Sequence, residues 1–359
     1  MRRWRKLQTP HILVDEMAKS INKTSLKRQE VMNTVTDLIV GEMKKGNLPW
    51  EKGWSTMGLH HNITTPNKPY RGVNQFTLPA WCIKNDWNSN QWGTFKQWKE
   101  YSVKYAKKNG LYELDENGDK VLMKNGEPKL KWFGVQSGQK SEAYVVFWKL
   151  VLVDKKEKGE LVLDSKGRKQ KVKIPILKWF QIFNRDQTGL PPQTLDHEPP
   201  PLDEREEAFH DSLFGYFDEE GIEYSEGGDV ACYSFSDDKI RVPKRDAFDS
   251  AATYWATMAH ESIHSTGHAK RLERKMGGSF GEKAYAREEL VAEMGAALLS
   301  SIHGFQYETM HRSAAYIQNW IKALNDDKKL IITAGTQASK AVDWVIDGAP
   351  KPKEDEKNE

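Results

Sequence analysis

The chain has 359 residues, 38% hydrophobic and 29% charged, with a net charge of +3, enough apolar material and length for two ordinary domains. Its two cysteines, Cys82 and Cys232, have no Cys-x-x-Cys spacing, which argues against a disulfide framework or a thiolate zinc cluster and fits a reducing cytoplasm. No window approaches the roughly 18 continuous apolar residues of a spanning helix, so no membrane association is expected.

The opening "MRRWRKLQTPHILVDEMAKS" is basic but has no apolar run behind the charges, so Arg2-Arg3 is not read as an export signal and residues 1–25 are taken as an N-terminal extension. "RQEVMNTVTDLIVGEMKKG" places apolar residues at three- and four-residue spacing and ends in Lys-Lys-Gly, which predicts a helix. Next comes "NKPYRGVNQ". Here Tyr70 offers a stacking ring, Arg71 a phosphate contact, Gly72 close backbone approach and Asn74 a bond to a base or sugar; a structural turn is the competing reading.

In "WCIKNDWNSNQWGTFKQWKEYSVKYAKK", Trp87, Trp92, Trp98 and Tyr101 are interleaved with lysines that include Lys96 and Lys99. Aromatic faces beside cations suit single-strand binding, although about half of these rings are expected in the interior. The segments beginning at Lys107 and Asp154 alternate apolar and polar residues around Asn-Gly and Lys-Gly and predict hairpins. "DENGD" within the first lacks the ligand spacing of a calcium loop. "AYVVFWKLVLV" predicts a buried strand.

Charge divides the chain. Residues 1–192 hold 35 Lys/Arg against 19 Asp/Glu and ten of the thirteen tryptophans, while residues 193–359 hold 19 Lys/Arg against 32 Asp/Glu. A polyanion-binding module followed by one with a different task is the implied order. "GLPPQTLDHEPPPLDE" packs five prolines into eleven positions and reads as the linker. Beyond it, "DKIRVP" predicts a short edge strand able to pair with an extended peptide. Helices are predicted around 250–266, 284–303 and 311–325, with a last one over "TQASKAVDWVID" and a charged tail after it.

"MAHESIHSTGH" contains His260, Glu261 and His264. Residues i and i+4 lie on one helical face, so the two histidines can share an ion, with Glu261 beside it to hold a metal-bound water. "YAREELVAEMGAALL" then supplies Glu288, Glu289 and Glu293 in an otherwise apolar helix, where unpartnered carboxylates are costly. Spacing allows Glu289 as third ligand and Glu293 as hydrogen-bond partner of a ligating histidine, with Glu288 as rival ligand. Tyr233, His268, Tyr285 and His303 are all available as transition-state donors, and none is preferred.

These last two motifs resemble the zincin-like metallopeptidase domain of ArdC-type antirestriction proteins, carried by plasmids, phages and other mobile genetic elements. "GNLPWEKGW", "NKPYRGVNQFTL", "WGTFKQWKE" and "KWFQIFNRDQTGL" resemble that family's N-terminal single-stranded-DNA-binding domain, which also occurs in conjugative primases. The resemblance implies His260, His264 and Glu289 as ligands of one Zn2+ per chain and Glu261 as the catalytic glutamate.

The expected fold class is therefore α+β in two domains, an N-terminal α+β single-stranded-DNA-binding domain and a mainly helical C-terminal zincin-like metallopeptidase domain. Their expected bounds are 26–188 and 205–348, with the linker at 189–204 and the tail at 349–359. The DNA-contact candidates are Tyr70, Arg71, Asn74, Trp92, Lys96, Trp98 and Lys99. The leading expectation is a cytoplasmic antirestriction protein that binds single-stranded DNA and carries a zinc-dependent peptidase acting on a protein or peptide. Two alternatives stand beside it: a non-catalytic DNA-binding protector whose zinc site is structural, and an accessory protein of conjugation or priming.

Overall fold

The computed structural model describes residues 10–52, 58–157, 160–193, 200–275, 282–307 and 314–349, without the side chains of 10–25 and of residue 52. The middle of the proline-rich stretch and all but the first residue of the charged tail lie outside the described residues. The helices are α1 (Pro10–Lys44), α2 (Pro49–Lys52), α3 (Asn74–Asn85), α4 (Phe95–Lys108), α5 (Leu202–Glu220), α6 (Ala251–Ser265), α7 (Lys283–Ile302), α8 (Ala314–Asp326) and α9 (Leu330–Asp347). The strands are β1 (His61–Asn62), β2 (Gln91–Gly93), β3 (Ala143–Asp154), β4 (Lys156–Glu157), β5 (Glu160–Leu161), β6 (Lys171–Asn184), β7 (Glu223–Glu226), β8 (Cys232–Ser234) and β9 (Lys239–Val242). The fold is α+β: a mixed N-terminal region is followed by a mostly helical one with a small sheet.

The chain forms two compact units, one of residues 1–35 with 144–180 and the other of 36–143 with 181–359. In the first, β3 and β6 lie side by side and continue into the short β4–β5 ladder. The sequence predicts a buried strand over β3, but its side chains are exposed from Phe147 to Leu150. A run of apolar residues fits a buried strand and an unpartnered one equally well, because composition does not say what covers it.

In the second unit, β1 pairs parallel with β2, and β2 pairs antiparallel with the end of β6. The first predicted hairpin appears as isolated bridges Tyr112↔Leu130, Leu114↔Lys120 and Leu122↔Pro128. Gly118 and Gly126 turn it at φ of 86° and 82°. Within "DENGD", Asp115 Oδ1 accepts from the amides of Asn117 and Asp119 at 2.9 Å each, a self-contained turn.

The helical core of this unit is built by α6, α7 and α9. Small residues permit their close approach: a Cβ on Gly295 of α7 would lie 2.8 Å from the Ile263 side chain of α6. The segment 36–143 belongs to the same unit, and its Trp50 lies edge-on to Trp320 at 5.9 Å. Strand β9, predicted as an edge, is the middle of a sheet ordered β7-β9-β8. Both its sides are paired, so it has no free ladder for an extended peptide.

Candidate metal centre

Helix α6 opens on a capping box, in which Ser250 Oγ accepts from the Thr253 amide at 3.1 Å. Its mostly apolar and small residues bury nearly all of the helix, including His260 and Glu261. One turn separates His260 from His264, and their Nε2 atoms converge to 3.1 Å. Facing them, Glu289 of α7 places Oε2 3.6 Å from His260 Nε2 and Oε1 3.6 Å from His264 Nε2. One donor atom from each of the three residues lies within 4.8 Å of the other two, close enough to converge on a single ion, since ligands at 2.0–2.1 Å in tetrahedral array stand about 3.4 Å apart.

Glu288 does not join them. Its carboxylate lies 3.2 Å from His264 Nδ1 and accepts from Arg274 at 2.7 and 3.0 Å. Arg274 also donates to the Ile263 carbonyl at 2.7 Å, so one cation closes the C-terminal end of α6 and anchors the carboxylate that orients His264. Glu293 serves the other imidazole, with Oε1 3.8 Å from His260 Nδ1 and Oε2 accepting from the Tyr307 hydroxyl at 2.7 Å. Neither Arg274 nor Tyr307 stands out in the sequence. The first lies in the basic "AKRLERK" run after the histidines, and the second carries no signal of its own.

The electrostatics call for a cation. Burial opposes a charge on His260, yet the carboxylates of Glu289, Glu293 and Glu261 around it raise its pKa to about 9. Burial raises Glu293 to about 7, against the pull of His260 and Tyr307. Burial works against ionisation of Glu288 too, but His264 and Arg274 hold its pKa below the ordinary carboxylate value. Two imidazoles facing several buried carboxylates are neutralised by a proton or, better, by a divalent ion.

Of the four donors considered for transition-state chemistry, three are engaged away from the cluster and Tyr285 reaches it. Tyr233 donates to Asp238 at 2.8 Å and accepts from Arg271, and His268 packs against Phe235. Tyr285 shares a hydrogen bond with Tyr316 at 3.1 Å and also hydrogen-bonds the Glu289 carboxylate of the cluster. His303 stacks on Phe209 at 4.4 Å, and burial lowers its pKa to about 4.

The DNA-contact candidates divide by burial. Trp92 and Trp98 are fully buried; their ring N–H groups donate to His60 Nδ1 at 2.8 Å and to the Phe183 carbonyl at 2.9 Å. Neither offers a face to a base in this structure. Asn74 is buried and donates to the Arg71 carbonyl, and the Tyr70 hydroxyl accepts from Asn62 at 3.1 Å. Arg71 is exposed and pairs with Asp343, while Lys96 and Lys99 are exposed on α4.

Residues 212–337 match the zincin-like metallopeptidase family, and residues 29–183 match the N-terminal domain of the anti-restriction factor ArdC. The chain is similar to the crystal structure of the antirestriction protein ArdC from plasmid R388 in its metal-free form, at 30% identity and a TM-score of 0.62, covering 88% of this chain and 97% of that one. The Mn(II)-bound form of the same protein gives 29% identity and a TM-score of 0.59, covering 89% and 98%. Uncharacterized protein y4eC of Sinorhizobium fredii is 26% identical over 90% of this chain and 94% of its own length. DNA primase TraC of Escherichia coli is 30% identical over 87% of this chain but only 19% of its own length.

These findings correct the expectation of a zinc-dependent peptidase. The solved structures are both of one antirestriction protein, metal-free and Mn(II)-bound, and not of a protease. Physically, His-Glu-x-x-His spacing makes two imidazoles converge on an ion whatever the ion then does; it specifies coordination, not hydrolysis. The peptidase assignment falls, and with it the ground for giving Glu261 a catalytic role. What stands is the cluster of His260, His264 and Glu289. The expected protein or peptide substrate rested on the peptidase reading and has no support apart from it.

Proposed function

Because the chain belongs to the ArdC family of antirestriction proteins, with an N-terminal single-stranded-DNA-binding domain and a C-terminal zincin-like domain, we propose that it protects DNA by occupying it in single-stranded form, and that its metal site serves the fold. The observation that carries this reading is where the cluster lies. His260, His264 and Glu289 sit at the contact of α6 and α7, inside the same compact unit as the basic segment 36–143. Helix α7 also touches α2, whose Glu51 adds its charge to the field at Glu293 and Tyr307. An ion held there would draw these helices together and so stiffen the surface offered to DNA.

In this reading residues 26–188 contact DNA, 189–204 link, 205–348 hold the ion and 349–359 form a tail. His260, His264 and Glu289 bind one divalent ion per chain, with Glu293 orienting His260. Two imidazoles and a carboxylate favour Zn2+ over Mn2+ at equal free concentration, by the usual affinity order. Tyr70, Arg71, Lys96 and Lys99 contact the strand, and Arg71 exchanges Asp343 for a phosphate. Asn74 holds the turn, and Trp92 and Trp98 form the floor beneath. The chain acts in the cytoplasm, consistent with two free cysteines and with no helix among the described residues long and apolar enough to cross a membrane. The priming activity of TraC is not carried over.

Metal removal tests this directly. Dialysis against a chelator is expected to lower the melting temperature and weaken binding of an oligodeoxythymidylate, both restored by Zn2+ or Mn2+. Unchanged melting and binding in verified metal-free protein would refute a structural ion.

A further inference from the structure

The β3–β6 hairpin exposes aromatic rings that the DNA-contact candidates do not include. Phe147 and Phe180 stack on each other with centroids 5.4 Å apart and planes inclined by 20°, yet they remain 38% and 57% exposed. Residues two apart on a strand share a face. Lys149 therefore stands beside Phe147, and Lys178 beside Phe180, on the face that carries the stacked pair. Both lysines are exposed.

The charge around this face is one-sided. Of the four lysines in strand segments 144–153 and 171–180, Lys149 and Lys178 lie on this face, and the two segments contain no acidic residue. Acidic groups of the hairpin lie towards its tip, where Asp154, Glu157 and Asp164 pair with Lys169, Lys155 and Arg168. A second copy of the chain would bring like charges together over this face, whereas a phosphodiester chain complements it.

We propose that the Phe147–Phe180 face is a single-stranded-DNA contact site, a stacking platform on which bases extend the aromatic pair while Lys149 and Lys178 meet the flanking phosphates. It rests on the single-strand-binding reading above and adds to it a site on the other compact unit. Stacking on an exposed ring tolerates any base, so the site carries no strong sequence preference.

The test uses the full chain and a fluorescein-labelled twenty-nucleotide oligodeoxythymidylate. Replacing both rings, Phe147→Ala with Phe180→Ala, is expected to weaken binding at least about tenfold with little change in salt dependence, given the usual cost of losing base–aromatic stacking. Lys149→Gln with Lys178→Gln is expected to make the log-log salt slope shallower by about 1.4, at about 0.7 for each phosphate no longer neutralised. This second pair keeps both rings, removes little apolar surface, and keeps the proposal testable if the alanine pair unfolds. Wild-type protein that fails to bind the oligonucleotide would overturn the single-strand-binding reading itself. Wild-type binding that both pairs of substitutions leave intact would overturn only the platform. Loss of self-association in sedimentation, with DNA affinity kept, would do the same and identify a second copy as the occupant.

Discussion

Glu293 and His260 face each other across the contact between α7 and α6, with Glu293 Oε1 3.8 Å from His260 Nδ1. The relationship links protonation to metal uptake. With no ion bound, burial disfavours the imidazolium, but the surrounding carboxylates outweigh it and His260 holds its proton to about pH 9. A metal ligand must give that proton up.

Zn2+ binding at pH 7 is therefore expected to release about one proton, and apparent affinity to rise with pH up to about 9. Calorimetry in buffers of different ionisation enthalpy reads the proton directly. The stability consequence has a definite sign. A pKa raised above the free value near 6.5 contributes stability present below that value and lost as pH rises through about 9. Metal-free protein should lose stability over that window and metal-loaded protein should not. Glu293→Gln should weaken metal affinity about 10- to 100-fold. Metal binding without proton release would refute the protonated metal-free state.

Arg271 provides a second, acid-side prediction. Its buried guanidinium pairs with Asp238, donates to the Ser265 carbonyl at 2.8 Å and so fastens the turn after α6. Burial disfavours the Asp238 carboxylate, but Arg271 and Tyr233 hold its pKa below the ordinary value. That contribution is present above the unfolded pKa, near 3.9, and is lost as pH falls through the lower folded value. Asp238→Asn suits the position's φ of 50° but leaves the buried Arg271 to the more distant Glu220, at 3.8 Å. It should cost about 3 kcal/mol at pH 7 and flatten the acid limb of a melting-temperature profile. A wild-type acid limb in the variant would contradict this.

Gly335 tests how closely α9 approaches the turn before α3. A Cβ there would lie 2.7 Å from Val73 Cα and 2.8 Å from its amide nitrogen, backbone atoms that cannot swing away. Alanine in a helix interior normally gains up to about 1 kcal/mol over glycine. Here overpacking reverses the sign, and Gly335→Ala should destabilise by about 1–2 kcal/mol. A raised melting temperature would show that α9 and Val73 pack more loosely than these distances require.

The legible and illegible parts of this protein separate by mechanism. The metal cluster is readable because helical periodicity alone aligns His260 with His264, and because carboxylates in an apolar helix demand a partner. One residue of helical rotation is about 100°, so the choice between Glu288 and Glu289 needs the actual phase of α7 against α6. The burial of Trp98 is hidden for a different reason. Alternating aromatic and lysine residues describe a DNA groove and an amphipathic helix equally well, and α4 is the latter. β3 errs the other way, since its apolar run reads as core but lies open. Nor does charge asymmetry between the halves reveal that residues 36–143 pack with the acidic half in one unit.

If this chain protects DNA by binding it, with the ion as support, then no carboxylate beside the ion is needed for chemistry. Glu261→Gln measures this most directly, because it removes a carboxylate beside His260 while keeping the three cluster residues and the basic surfaces. Protection of DNA from a restriction endonuclease is the quantity to follow, with metal content, melting temperature and oligonucleotide affinity measured alongside. Wild-type protection is the expected result. Loss of protection in protein that keeps its ion, its stability and its DNA affinity would contradict the binding mechanism.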